Sequence, residues 1–360
     1  MPSLNDYLAE GSRIYFSSLK NTLYHKKYPG TAKQICQQII KDCWNGEYFQ
    51  ISTNNFSQFW TRDFGFCTAS LLSLGYEKEV HKTLKYALNS FKEAGKITTT
   101  INPKNKTYDF PYPAVDSLPW LIHSIRISKF NYSQYTQFLN EEIKKYFEYF
   151  IEKKSGLVKP ELAVSSIKDF AIRKSSCYDN CLVGLLARDL AELKLINPFT
   201  SYDYNSIIER HFWDGQFYCD DLGHKDYVAG DANLFPFYVG FCRDKERLKS
   251  IIIKISEAKL DQPLPLKYTN SRQNIKFIPL ELLFRNYESH SIWTHMGPLY
   301  IKLVQSVDKE LAKKYKNEYK QLIEKQKNYP EVLNQHGRAF GSLVYHCDFG
   351  MIWAANYLML

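Results

Sequence analysis

Apolar residues follow two alternating patterns along the chain. In the first pattern they occupy most of a helix circumference, which is typical of buried helices. Six segments show this pattern, among them CLVGLLARDLAEL and ANLFPFYVGF. These segments are predicted to begin near Arg62, Asp116, Tyr178, Asp231, His290 and Arg338.

In the second pattern a single apolar stripe lies opposite a charged face, as in helices that are half exposed to water. Each segment of this kind precedes a buried segment, and a long loop of about 15–30 residues joins the two. The six amphipathic segments cover residues 30–43, 78–94, 140–154, 201–212, 243–258 and 309–327.

This alternation predicts an all-α fold, a closed (α/α)6 toroid of six helical hairpins with the buried helices as its inner ring. The six long loops then lie at one rim, beside the amino ends of the inner helices. We expect a polar ligand there, because unpaired backbone N–H groups and loop side chains converge at that rim. One catalytic domain is expected over residues 1–360, with residues 1–29 as a helical extension packed on it.

A short motif repeats within this pattern. Residues 44–49 (WNGEYF) and 213–218 (WDGQFY) share a Trp, an Asn or Asp, a Gly and two aromatic residues. Each copy follows an amphipathic segment and precedes, by 13 or 14 residues, the Asp that opens a buried segment (Asp63 and Asp231). The repeat therefore indicates a repeated structural unit.

Composition excludes several classes of protein. The 360 residues are 16% aromatic, too many bulky side chains for a disordered chain. The net charge is +9, but the lysines alternate with acidic residues on helices such as 309–327, so a solvated surface is favoured over nucleic-acid binding. With neither a membrane-length apolar run nor a signal segment, we expect a cytoplasmic protein that binds no membrane. The eight cysteines include no CxxC pair and are expected to be free thiols.

The chain contains none of the short motifs of serine hydrolases, zinc proteases or nucleotide-binding proteins. Asp220, Asp221, His224 and Asp226 lie close together, but their spacing fits no metal-binding loop and favours a hydrated turn. We therefore expect neither a metal nor another cofactor.

Carboxylates and aromatic residues do cluster in the loops just before the buried segments. Stacked aromatic faces with carboxylates and amides suit a sugar, which has apolar C–H faces and hydroxyls that need both donors and acceptors. An alternative remains for each residue: Asp63, Asp116 and Asp231 fit helix N-caps, and Trp60 and Trp120 fit a core.

Three blocks of the sequence resemble the alkaline/neutral invertases: WTRDF with the apolar segment after it (60–75), VDSLPWLIHSIRI (115–127), and the long block 329–358 that begins YPEV. Residues 291–298 (SIWTHMGP) resemble a block of the related glucosidase domain of glycogen debranching enzymes, the processing α-glucosidases and the trehalases. The resemblance implies an inverting glycoside hydrolase on an (α/α)6 toroid.

The resemblance also implies roles for individual residues. Asp116 matches the general acid of these families and Glu331 their general base, while Trp60, Arg62 and Asp63 match the block that lines the sugar subsite. The remaining predicted substrate-binding residues are Trp120, Tyr178, Asp179, Asn180, Asp231, Asn233, Trp293 and Arg338.

The chain departs from the invertase pattern at two places. Leu118 and Pro119 stand where the invertases have a small residue and aromatic residues, and Val332 and Leu333 replace aromatic residues after the Pro-Glu pair. Both departures leave the acid and the base in place, but they put sucrose as the substrate in doubt.

The expected chemistry needs two carboxyl groups in different states. Asp116 has to be protonated near neutral pH, so burial or a neighbouring carboxylate, either Asp63 or Asp109, is expected to raise its pKa. Glu331 has to stay ionised and take a proton from water, at roughly 6.5–9.5 Å from the acid in an inverting enzyme.

The sequence thus predicts an exo-acting inverting glycosidase that releases one terminal sugar, an α-linked glucose, from a small carbohydrate. It leaves the linkage, the aglycone and the oligomeric state open. Two alternatives are a sugar 2-epimerase on the same toroid, with a base among His290, His295, His336 and His346, and a carbohydrate-binding protein without activity.

Overall fold

The inner helices form a closed ring. The structure, a computed structural model, describes residues 4–360, with side chains from residue 8 onward apart from those of residues 22 and 23. Each inner helix packs against the next around the ring, and the last packs against the first. The inner helices are α3 (Thr61–Ser73), α5 (Ser117–Ile127), α7 (Cys177–Glu192), α9 (Gly230–Tyr238), α11 (Met296–Val304) and α13 (Ala354–Leu358).

An outer layer of amphipathic helices surrounds this ring. Each buries one stripe, such as Ile35, Ile39 and Ile40, and exposes its charged side. Most pack on the inner helix of the preceding hairpin, as α4 does on α3. The outer helices are α2 (Ala32–Cys43), α4 (Glu77–Ala94), α6 (Thr136–Phe150), α8 (Tyr204–Phe212), α10 (Lys245–Glu257) and α12 (Lys309–Gln326). The predicted all-α toroid of six hairpins is therefore confirmed.

The predicted starts of four inner helices agree with the structure to within a residue, and those of the last two do not. The fifth helix begins at Met296 rather than near His290, because Ile292 and Trp293 form a strand. The sixth begins at Ala354 rather than near Arg338. Before it, residues 339–349 form irregular hairpins that pair Gly341 with His346 and Pro330 with Phe349, and Gly350 has a φ of 73°, a left-handed conformation that interrupts a helix.

Aromatic side chains fill the axis of the ring. Phe66 of α3 lies 4.9 Å from Trp120 of α5, 5.9 Å from Phe235 of α9 and 5.4 Å from His295 before α11, measured between ring centroids. The ring is therefore packed through its centre, and a ligand has access from the loop end.

The repeated motif forms the same turn in both copies. Asn45 Oδ1 and Asp214 Oδ1 each accept hydrogen bonds from two backbone N–H groups that follow them. Gly46 and Gly215 come next, with φ angles of 101° and 106° that favour glycine. The repeated unit predicted from the sequence is thus present.

Short antiparallel strands join the long loops at one end of the toroid. Strands β1, β2 and β3 form one small sheet, β4 pairs with β5, and β6 pairs with β7. Two 3-10 helices, Ser133–Tyr135 and Pro279–Phe284, also lie between the main helices. The strands are β1 (Phe59–Trp60), β2 (Thr100–Ile101), β3 (Thr107–Tyr108), β4 (Ala171–Ile172), β5 (Lys276–Phe277), β6 (Ile292–Trp293) and β7 (Val332–Leu333).

One further helix, α1 (Leu4–Tyr24), lies outside the twelve-helix pattern and packs on the loops of this end. Asn21 Nδ2 donates to Asp348 Oδ1 at 3.0 Å, and the ring of His25 stacks on Phe349 at 4.3 Å. In the part of the chain that the structure describes, no helix has both the length and the apolar composition to cross a membrane. All eight cysteines fall in that part, and each is a free thiol as expected.

Candidate active site

A cavity opens at the end of the toroid where the inner helices begin. Its volume is about 220 Å³, and most of its wall is aromatic or aliphatic. The lining residues are Glu10, Gly11, Ile14, Tyr15, Ile51, Phe56, Trp60, Arg62, Asp63, Tyr108, Phe110, Asp169, Phe170, Phe284, Tyr287, Trp293, Glu331, Val344, Tyr345, Met351 and Trp353.

Three loops bring five of the predicted residues to this wall, namely Trp60, Arg62, Asp63, Trp293 and Glu331. The first three surround the start of α3, where β1 leads directly into the helix. Trp293 and Glu331 come from different loops, and the pairing of β6 with β7 holds them side by side. Backbone pairing between loops thus builds one site from residues far apart in the sequence.

Arg62 is at the centre of the charged groups. Its side chain is 11% exposed and donates a short hydrogen bond to the carbonyl of Ser166. Its nitrogens lie 3.5 Å from Asp63, 3.9 Å from Asp116 and 3.9 Å from Asp169. One cation therefore faces three carboxyl groups, and a guanidinium in that position has donors for more than one oxygen.

Asp116 lies behind Arg62 and is not among the lining residues; its exposure is 0%. It occupies the N-cap of α5, yet its side chain makes no capping hydrogen bond to that helix. One carboxyl oxygen accepts a bond of 3.0 Å from Tyr178 Oη, and the other has no partner among the described residues. Burial raises the pKa of Asp116 to about 7; Arg62 opposes this rise, and the charges of Asp179 and Asp169 add to it.

The carboxylates that raise this pKa are not the two expected from the sequence. Asp63 lies at the start of α3, accepts a hydrogen bond of 3.1 Å from Trp353 Nε1 and is closest to Arg62. Asp109 pairs with Lys96 at 2.5 Å at the surface of the loop. Sequence proximity to the loop end does not show which carboxylate faces Asp116, because that depends on how the loops pack.

Glu331 has different surroundings. Tyr287 Oη donates to one carboxylate oxygen at 2.7 Å, and the backbone N–H of Asp348 donates to the other at 2.9 Å. Tyr345 Oη adds a short hydrogen bond to that second oxygen. Burial raises the pKa of Glu331 to about 7, and the three donors oppose the rise because they favour the ionised form.

Two predicted residues, Trp120 and Tyr178, support Asp116 from the core side. Trp120 Nε1 donates to Tyr178 Oη at 3.2 Å, and Tyr178 in turn donates to Asp116. Asp179, the next residue, accepts a bond of 2.6 Å from Ser176 Oγ, and burial raises its pKa. These three residues form a buried network behind the cavity wall and are not among the side chains that line the cavity.

The predicted residues Asn180 and Asn233 are bound to the backbone. Asn180 accepts the N–H of Val158 at 3.0 Å and donates to Ser176 O at 2.7 Å. Asn233 accepts the N–H of Tyr218 at 2.8 Å and donates back to the same residue's carbonyl at 3.0 Å. Both amides therefore fasten loops to inner helices and are not among the side chains that line the cavity.

Asp231 and Arg338 also lie away from the lining. Asp231 is held 2.9 Å from both Lys168 and Arg173 in a buried ion cluster. Asp220, which the sequence placed in a hydrated turn, is a buried member of this cluster. Arg338 is exposed in a surface turn, where its backbone bonds to Asn334.

The structure adds an acid that the sequence did not single out. Asp169 lines the cavity, and its backbone N–H donates to Glu288 Oε1 at 2.5 Å. The N–H groups of Phe170 and Ala171 donate to the other oxygen of Glu288 at 2.7 and 3.0 Å. Burial, then the charge of Asp169, raises the pKa of Glu288 to about 8. The only sequence signal for Asp169 was a carboxylate in a long loop.

Histidine chemistry has no support in this geometry. None of His290, His295, His336 and His346 is among the lining residues of the described chain. His295 is buried, and burial lowers its pKa well below the usual range, so the ring is neutral. Within the described residues, no group of three or more His, Cys, Asp and Glu side chains is arranged to hold a metal ion.

No protein-family model matches the sequence, and no curated protein matches it either. Solved glycosidases do match the structure at 9–10% sequence identity. A glycosidase variant in complex with glucose has a TM-score of 0.64, 9% identity, and coverage of 98% of this chain and 96% of its own. A GH63 mannosylglycerate hydrolase from Thermus thermophilus, in complex with Tris and D-glycerate, has a TM-score of 0.62, 10% identity, and coverage of 91% and 99%.

A rhamnosidase from Klebsiella oxytoca with rhamnose bound has a TM-score of 0.60 and 10% identity. The match covers 93% of this chain, which spans 65% of the rhamnosidase chain. At these identities the likeness concerns the fold, and a specific relationship to invertases or debranching enzymes is not shown. The chain has the (α/α)6-toroid fold that these glycosidases share.

Proposed function

We propose that the protein is an inverting glycoside hydrolase that removes one terminal sugar from a small carbohydrate. One observation carries the proposal. Two buried carboxyl groups of contrasting surroundings lie at the same end of the toroid: Glu331 lines the aromatic cavity and is held by three donors, and Asp116 lies near other carboxylates directly behind the lining residue Arg62. Contrasting environments suit one proton donor and one proton acceptor.

In this mechanism protonated Asp116 gives its proton to the glycosidic oxygen as the bond from that oxygen to the anomeric carbon breaks. A water molecule attacks the anomeric carbon from the opposite face, and its proton passes to Glu331. The products are the free sugar, with its anomeric configuration inverted, and the alcohol of the leaving group. Glycoside and water are consumed in equal amounts.

Unpaired polar atoms support a sugar as the ligand. Trp60 Nε1 and Arg62 Nε belong to residues that line the cavity, and both atoms are buried and have no hydrogen-bond partner within the described part of the chain. Such atoms carry a free-energy cost that a bound hydroxyl group relieves. The indole face of Trp60 or Trp293 offers an apolar surface for the C–H face of a sugar ring.

Removal of a terminal sugar is supported by the packed axis of the toroid, because aromatic side chains close the inner end, where a sugar chain that enters from the mouth has to stop. For the sugar itself we propose an α-linked glucose, supported by the glucose in the complex of one structural neighbour. We assign the activity to one catalytic domain over residues 1–360, with residues 1–29 as its extension, of which residues 1–3 lie outside the described residues.

The first test is a panel of aryl glycosides and disaccharides that includes trehalose, sucrose, glucosylglycerate and short α-glucans. The anomeric configuration of the first product is followed by NMR. The proposal expects α-glucosides to be cleaved with release of β-glucose. Release of the α-anomer would exclude inversion. Conversion of a free sugar into its ketose or its epimer, without hydrolysis of any glycoside, would favour the epimerase alternative.

The second test separates the two carboxyl groups. Asp116→Asn should lower kcat/KM on a disaccharide by about 10²–10⁴-fold. The same variant should lower kcat/KM on α-glucosyl fluoride far less, because fluoride leaves without a proton donor. Glu331→Gln should lower kcat/KM on both substrates, since the attacking water still has to be activated. The matched variant is Asp169→Asn. If this variant loses activity on the disaccharide but keeps activity on α-glucosyl fluoride, and Asp116→Asn does not, then Asp169 is the acid and our assignment is wrong.

A further inference from the structure

Much of the cavity wall does not match the surface expected for a second sugar. Beyond the carboxyl groups and Arg62, the wall is made largely of hydrocarbon from five different loops and from α1. A sugar in the leaving-group position would bring several hydroxyl groups, each of which needs a partner when it loses water. Glu10, the carboxylate from α1, is already bound by Arg13 at 2.5 Å.

The aromatic rings form a continuous wall from the saccharide end towards solvent. Trp60 lies 6.0 Å from Phe56, Phe56 lies 6.4 Å from Tyr345, and Tyr345 lies 5.9 Å from Phe284, between ring centroids. Phe284 also stacks on Phe170 at 5.4 Å. Trp60 and Tyr345 are buried, whereas Phe56 and Phe284 are partly exposed, so the aromatic wall has both buried and solvent-facing members.

Three exposed leucines lie within three residues of lining residues in the sequence. Leu343 is 96% exposed and precedes the lining residue Val344, and Leu282 is 76% exposed and lies two residues before Phe284. Leu8 is also exposed and lies three residues before the lining residue Gly11, on the same side of α1. Exposed apolar side chains that adjoin an apolar cavity can extend a binding surface for an apolar group.

We propose that the leaving group of the substrate is an apolar alcohol, alkyl or aryl, that lies along the wall from Phe56 to Phe284 and reaches Leu343. The inference rests on the proposed function and names the substrate class for the same cavity. The sugar is held at the polar floor by Arg62 and Glu331, and the hydrocarbon part loses contact with water along the aromatic wall. The natural substrate is therefore an amphiphilic glycoside.

The test compares alkyl α-glucosides that differ only in chain length, from methyl to octyl, below the concentration at which they form micelles. Burial of each methylene should raise kcat/KM by up to about fourfold, until the chain passes the rim. Binding of the matching S-alkyl thioglucosides, which are cleaved poorly, is measured in parallel by calorimetry and should show the same dependence.

Variants at the rim separate the aglycone surface from the rest of the site. Leu343→Ser and Leu282→Ser should reduce the preference for octyl over methyl glucoside several-fold and leave kcat/KM on methyl glucoside unchanged. The matched control is Ile253→Ser, which also replaces an exposed aliphatic residue, 56% exposed on the outer helix α10, and should leave the preference unchanged.

The outcomes distinguish this inference from the proposed function. Hydrolysis with equal kcat/KM for methyl and octyl glucosides overturns the inference and leaves the hydrolase intact. Chain-length-dependent binding that requires Leu343, without cleavage of any glycoside, supports the apolar subsite and overturns the hydrolase. If Leu343→Ser instead reduces binding to neutral phospholipid vesicles and no chain-length preference exists, the leucines form a lipid-binding surface and the inference is wrong.

Discussion

At the scale of single residues, the site depends on how two carboxyl groups are solvated. Burial raises the pKa of both Asp116 and Glu331 to about 7, but only Glu331 has three hydrogen-bond donors that hold its charged form. Protonated Asp116 and ionised Glu331 therefore coexist most often near pH 7, midway between the pKa values of the two groups. The proposed chemistry is therefore tied to neutral pH.

We predict a bell-shaped dependence of kcat/KM on pH, with a maximum near pH 7. Below the maximum Glu331 gains a proton and no longer accepts one from water, and above it Asp116 loses the proton that it donates. The rate profile in a constant-ionic-strength buffer series measures both limbs. A plateau from about pH 5 to about pH 9 would contradict these assignments.

Tyr345→Phe tests the acidic limb directly. The phenol donates to Glu331 and favours its ionised form, so removal of the hydroxyl raises the pKa of Glu331 and moves the acidic limb upward by about one pH unit. The alkaline limb should stay in place. Tyr315→Phe, which removes the hydroxyl that donates to Asp261 away from the cavity, is the matched control and should not move either limb.

At the scale of elements, the close approach of inner helices positions the loops. Gly65 of α3 faces Trp120 of α5, and a Cβ at Gly65 would lie 2.6 Å from the Cβ of Trp120. Arg62 lies in the first turn of α3 and Asp116 immediately precedes α5, so the contact helps to set the distance between these two residues. Here a helical glycine permits packing that any larger residue prevents.

We therefore expect Gly65→Ala to destabilise the protein by about 1–3 kcal/mol, because the added methyl group overpacks the contact. Gly11→Ala is the matched control, since Gly11 also lies in a helix but a Cβ there meets none of the described atoms within 4 Å. It should stabilise α1 by roughly 0.5–1 kcal/mol. Urea unfolding of both variants measures the difference, and equal effects would show that the α3–α5 contact adapts freely.

At the scale of the whole molecule, α1 completes the cavity that the toroid leaves open. Arg13 fastens this helix to the loop before α3: it donates to Asn55 O at 3.0 Å and makes a short hydrogen bond to Gln58. On the same helix Ile14 and Tyr15 line the mouth. The cavity wall therefore includes an element outside the ring of hairpins.

Arg13→Ala should loosen α1 without disturbing the ring. Amide hydrogen exchange in residues 8–24 should become faster, while exchange in α3 and α5 stays unchanged, because local opening costs less free energy than global unfolding. Arg247→Ala, which removes an ion pair with Glu209 on the outer surface, serves as control. Faster exchange throughout the ring would mean that α1 is part of the cooperative core.

The sequence alone was sufficient for the architecture because helical periodicity is a local property. Buried helices have apolar residues on most faces and outer helices have one apolar stripe, and both patterns are visible in the sequence without knowledge of the neighbouring helices. Periodicity failed only around residues 290 and 338–353, where short strand pairs and a left-handed Gly350 override an apolar pattern. Motif matches likewise pointed to Arg62, Asp63 and Glu331, which line one cavity.

The tertiary structure alone decided which groups face one another. Asp169 reaches the cavity through bonds from its loop to Glu288, more than a hundred residues away, and Asp231 is withdrawn into an ion cluster with Lys168 and Arg173. The spacing of residues in the sequence does not show where Asp169 and Asp231 lie, because loop packing depends on contacts between distant segments. Loop packing in turn sets the solvation, the charged neighbours and the pKa of each carboxyl group. The apolar mouth is likewise visible only when α1 and the loops of the rim are brought together.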